Sequence, residues 1–114
     1  MKITPSLCYD IYHMLQFSSA MSTWILPSSE VVDFVVQSKL EEDCCAWVES
    51  NGEEYYVKVS KFENPTLPIL IETIAHEMIH IRRLLAGDKS WDLHDKKFDK
   101  LCLHLNKHLG LIVV

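Results

Sequence analysis

The stretch "CCAWVESNGEEYYVKVS" constrains this chain more than any other, because it specifies its own pairing. Asn51-Gly52 is the preferred dipeptide for a two-residue type I′ turn, whose central positions both need positive φ. Pairing outward from such a turn sets Val48 opposite Tyr55, Ala46 opposite Val57 and Cys44 opposite Val59, all on one apolar face. Trp47 opposite Tyr56 and Cys45 opposite Lys58 share the other, more polar face. Turn chemistry and side-chain alternation therefore agree on a hairpin. Upstream, "EVVDFVVQ" (residues 30–37) is β-branched and aromatic with the same period of two, and it predicts a third strand. The expected sheet is three-stranded and antiparallel.

Helical spacing flanks this sheet on both sides. Over residues 4–18, Thr4 can cap a helix, Pro5 suits its first position, and Leu7, Ile11, Met14 and Leu15 recur at helical intervals. A polar, proline-interrupted loop, "SSAMSTWILPSSE", leads into the first strand. After "ENPTLP" a long helix is predicted over residues 66–86 with Gly87 as its stop. Its buried stripe reads Leu70, Ile71, Ile74, Met78, Ile81 and Leu85. A last helix over residues 92–109 starts at an Asp92 cap and stops at Gly110. The order α-βββ-α-α is an α+β arrangement, and 114 residues without repeat or linker fit a single domain, residues 1–114.

Within the long helix, "HEMIH" carries the chemistry. At 100° per residue, His76 and His80 lie only about 40° apart and can reach one ion. Glu77 is rotated about 100° from His76, off the ligand face but close enough to reach a water on the metal. This is the logic of H-E-x-x-H: two neutral imidazoles bind zinc and the glutamate takes a proton from the water. The plain alternative is two polar histidines on a half-exposed face. Six histidines and nine glutamates produce the pattern by chance in roughly one chain in forty, so a third ligand is needed to decide. His94 is the best candidate, because it shares a helical stripe with Phe98, Leu101 and Leu105, which must pack inward. Asp88, Asp92 and Asp95 are its carboxylate rivals.

HExxH, a spacer of thirteen residues, then His94 followed by x-x-x-Phe resembles the SprT-like family of zincin metallopeptidases, over about residues 66–105. The resemblance implies zinc at His76, His80 and His94, Glu77 as catalytic base, and a minimal zincin-like catalytic domain. Asp95 stands where that family usually has glycine, and no cysteine-rich ribbon or DNA-binding tail follows in this sequence. The expected activity is zinc-dependent hydrolysis of an extended peptide lying as an added strand on a sheet edge. The competing expectation is a zinc-containing binding or regulatory module on the same fold, without turnover.

The remaining residues bound the setting. A net charge of −5 does not support nucleic-acid binding, although Arg82, Arg83, Lys96, Lys97 and Lys100 form a local basic patch. No stretch approaches the ~20 apolar residues of a membrane span, and the start lacks an apolar signal core. With four cysteines outside any CxxC spacing, free buried thiols and a cytoplasmic location are expected. Arg83 is read as a solvated rim charge or a carboxylate holder. Glu72 is read as orienting His76 or as simply exposed. The His104/His108 pair is assigned to the helix C-terminus, where cations meet the dipole. Tyr55 is expected in the core, leaving Tyr56 as the freer hydroxyl.

Overall fold

The computed structural model describes residues 1–114. Helix α1 (Pro5–Gln16) packs on strand β1 (Val32–Gln37), and the hairpin β2 (Ala46–Ser50) and β3 (Tyr55–Ser60) follows. Helices α2 (Leu67–Leu85) and α3 (Lys96–Leu109) complete an α+β fold. The helix starts follow local chemistry. Thr4 Oγ1 accepts from Leu7 N, and Thr66 Oγ1 accepts from Ile69 N, each with a proline in the first turn. The core is continuous between α1, the inner sheet face and the apolar side of α2. Tyr12 lies within it and donates to Pro27 O at 2.6 Å, so its hydroxyl is satisfied.

The sheet is mixed rather than wholly antiparallel. Its order is β1-β3-β2, with β1 parallel to β3 and β2 antiparallel to β3. The link over residues 38–45 crosses the end of β3, so the last strand in sequence is the central one. Tyr55, Val57 and Val59 on β3 are all buried, which rewards pairing on both of its edges.

The hairpin register also differs from the expected one. Trp47 pairs with Lys58, Val48 with Val57 and Ala46 with Val59, a shift of two residues that keeps every side chain on its predicted face. The cause is a longer loop, residues 51–54. Asn51 Oδ1 accepts from Glu53 N at 2.9 Å and Glu54 N at 2.8 Å, closing the loop through a side chain. Only Gly52, at φ +94°, has positive φ there.

Helices α2 and α3 also depart from the expected pattern. Leu85 is 40% exposed, while Ile79 lies in the core instead. Asp95 caps α3, accepting from Phe98 N at 3.1 Å, so His94 precedes the helix and is not in its first turn. All four cysteines are free, but only Cys8 and Cys102 are buried; Cys44 is half-buried and Cys45 exposed. No helix is long and apolar enough to cross a membrane.

Candidate metal centre

The centre is built on the middle of α2. That helix is held to the sheet by Asn64, which is buried and donates to Cys45 O at 3.0 Å and to Ser60 O at 2.7 Å. Thr73, one turn before His76, donates to Asn64 Oδ1. This clasp brings His76 and Glu77 beside the start of β2. No local pattern marks Asn64, because its partners are backbone carbonyls, one of them nineteen residues away.

Three imidazoles converge there. His80 Nε2 lies 3.2 Å from His76 Nε2 and 3.2 Å from His94 Nε2. Ligand atoms of the three residues all lie within 4.8 Å of one another. Tetrahedral zinc with Zn–N of about 2.0–2.1 Å sets two ligand nitrogens about 3.3 Å apart, so both short separations fit one ion. Phe98 packs under the group, its ring centroid 4.8, 5.0 and 4.5 Å from those of His76, His80 and His94. Core packing thus carries His94 to the site as expected, although His94 lies in the loop before α3.

Tautomers follow from the opposite edges of the rings. His80 Nδ1 contacts Trp91 O at 2.7 Å, and His76 Nδ1 contacts the Val114 main-chain oxygen. A carbonyl oxygen only accepts, so each Nδ1 carries the proton and donates it. Burial, reinforced by the neighbouring His80, pushes His76 down to about 4, and burial also lowers His80. Both rings are then neutral at pH 7, and their Nε2 lone pairs face each other. Such an arrangement is repulsive unless a cation lies between the nitrogens. The donor set therefore fits a divalent metal with imidazole affinity, with Trp91 and Val114 supplying the supporting carbonyls.

Glu77 is 5% exposed, and burial raises its carboxyl to about 8. It lines a cavity of about 360 Å³ together with His76, Cys45, Ala46, Ile112 and Val114. The base candidate and one ligand thus open on the same space. Glu72 does not orient His76; its Oε2 accepts from Ile112 N at 2.8 Å. Asn106 pairs with both backbone groups of Val113, through Val113 N (2.7 Å) and Val113 O (3.0 Å). Together these bonds lay residues 112–114 beside the site.

The carboxylate rivals of His94 are engaged elsewhere or stand apart. Arg83 is 4% exposed, not a solvated rim charge. It donates to Asp95 through Nη1 and Nη2, both at 2.9 Å, to Asp88 through Nε at 2.9 Å, and to Leu93 O at 3.0 Å. Hydrogen bonds from Arg83 and from Phe98 N hold Asp95 down at about 2. Arg83 therefore ties down both ends of the loop that carries His94 and Trp91. Asp92 is exposed and does not belong to the histidine cluster. His104 accepts no role at this centre; its Nε2 bonds to Ala20 O at 2.6 Å and its ring stacks on Trp24.

No protein-family model and no curated protein matches the chain.

Proposed function

We propose that this chain is a zinc-dependent peptidase of the SprT-like zincin kind, with His76, His80 and His94 as ligands and Glu77 as general base. The supporting observation is the convergence of three Nε2 atoms, two of them freed by Nδ1 bonds to carbonyls, beside a buried glutamate that opens on the same cleft. A bound zinc ion would supply Lewis-acid chemistry, acidifying water and polarising a carbonyl. Its charge would also draw the Glu77 carboxyl down from about 8, leaving an acceptor ready near neutral pH. Glu77 then takes a proton from water on its carboxylate and passes it to the leaving amine. Strand β2 pairs only with β3, and Cys45 and Ala46 at its start line the cleft. An extended peptide added to that free edge runs past Glu77. Four free thiols suit a reducing, cytoplasmic setting.

One observation favours the non-catalytic reading: Ile112 and Val114 line the cleft, and residues 112–114 are anchored over it. The test compares the parent with Glu77→Gln on an unfolded protein substrate, with zinc content measured on both. The peptidase reading expects one zinc per chain in each and a loss of activity on the order of 10²-fold in the variant. Equal zinc with no hydrolysis by the parent would leave the binding module as the better account. Loss of zinc in the variant would make Glu77 a ligand or support.

A further inference from the structure

A second, larger cavity lies on a different face, between the last turn of α2, the first turns of α3 and the loop around residues 23–25. Its volume is about 520 Å³, within the ~300–1,000 Å³ usual for small-molecule sites. Ile25, Leu85 and Leu101 give it apolar walls, and Ile25 is 77% exposed. Arg82, Lys97 and Lys100 also line it, together with Arg83 and its ion-pair partner Asp88, the one carboxylate in the wall.

Of these cations, Arg82, Lys97 and Lys100 lack firm carboxylate partners. Arg82 and Lys100 form no ion pair, and the Arg82 guanidinium rests on the face of Trp24 at 4.9 Å. Lys97 reaches Asp88 only at 3.9 Å, and Asp88 already receives Arg83. In a chain with a net charge of −5, three under-neutralised cations thus gather around one apolar hollow. A like-charged rim costs free energy that an anion would offset, and apolar walls reward a hydrocarbon body. The cleft beside the histidines has the opposite character, with Glu72 and Glu77 in its wall.

We propose that this cavity binds a small amphiphilic anion, a carboxylate head on a short apolar body. Its head meets Arg82, Lys97 and Lys100, and its body lies on Leu85 and Leu101. The binding does not depend on the metal centre or on peptidase activity.

Titration of the full chain with decanoate below its micelle concentration, followed by methyl NMR, tests this. Decanol, decyltrimethylammonium and acetate serve as the neutral, cationic and tail-less probes. Decanoate should saturate and shift the methyls of Ile25, Leu85 and Leu101, with acetate and decyltrimethylammonium at least tenfold weaker. Lys100→Glu should weaken decanoate tenfold or more. Lys100→Gln, a milder change at an exposed position, should weaken it severalfold. Equal binding of decanol and decanoate would overturn the proposal, since the rim would then select nothing. Binding of acetate as tight as decanoate, shifts confined to residues outside the cavity, or indifference to both Lys100 variants would overturn it equally.

Discussion

Phe98→Ala should damage stability and metal binding together, because one ring serves both. Phe98 is 1% exposed and contacts all three imidazoles. Deleting a buried phenylalanine side chain costs about 3–5 kcal/mol. A domain of this kind holds about 5–15 kcal/mol in total, so the metal-free variant should sit near the edge of folding. Phe98→Leu keeps most of the volume and should lose about 1.5 kcal/mol or less. Without their floor, the histidines lose their fixed separation, and support of this sort is worth about 10–100-fold in metal affinity. At free zinc 100-fold above the parent's Kd, binding stabilises the parent by about 2.7 kcal/mol; the same zinc would stabilise Phe98→Ala by only about 0.4–1.4 kcal/mol. Urea unfolding monitored by circular dichroism, with chelator and again at buffered free zinc, measures both quantities. An unchanged zinc-dependent gain in Phe98→Ala would refute the view that the ring holds the ligands in place.

Replacing Arg83 with Met should lower zinc affinity about 10–100-fold while His76 and His80 stay on an intact helix; competition with a chromogenic chelator reads this, and unchanged affinity would mean that the loop holds His94 without it. Metal-free protein should lose stability as pH rises from about 6.5 to 8. The raised Glu77 carboxyl contributes stability fully below its unfolded value and loses it through about 8, whereas the depressed His76 and His80 contribute above 6.5 and lose that stability as pH falls below it, His76 through about 4. Glu77→Gln should abolish the alkaline fall in denaturation midpoint, and a fall that persists in the variant would assign it elsewhere. Gly52→Val should cost on the order of 1–2 kcal/mol, since a side chain at φ +94° is strained even though no atom lies within 4 Å of the added Cβ; an unaltered melting temperature would contradict this.

Elements set by short-range chemistry were readable in the sequence. Thr4 caps the first helix as its position predicted, Thr66 marks the start of the long helix and caps it, and alternation placed each hairpin side chain on its observed face. What escaped reading depends on partners far along the chain. Asp92 and Asp95 are equally good caps by type. The choice of Asp95 coincides with its pairing to Arg83, a residue twelve positions earlier whose burial no local pattern announces. The parallel pairing of β1 is likewise invisible in "EVVDFVVQ", whose alternation is the same for either direction. His76 and His80 needed only helical geometry, whereas bringing His94 to them needed the packing of Phe98.

The place of β3 between β1 and β2 has a consequence for the chain as it leaves the ribosome. Residues 32–37 are made early, but their one neighbour in the finished sheet, residues 55–60, is the last strand to be made. Until then that apolar segment has α1 as its sole early shelter, through Tyr9, whose hydroxyl bonds Val32 O at 2.7 Å, and the Tyr12–Phe34 ring contact. The hairpin can close on itself within a few residues. Assembly is therefore ordered by synthesis: a helix–strand pair waits, the hairpin forms, and its second strand enters the gap.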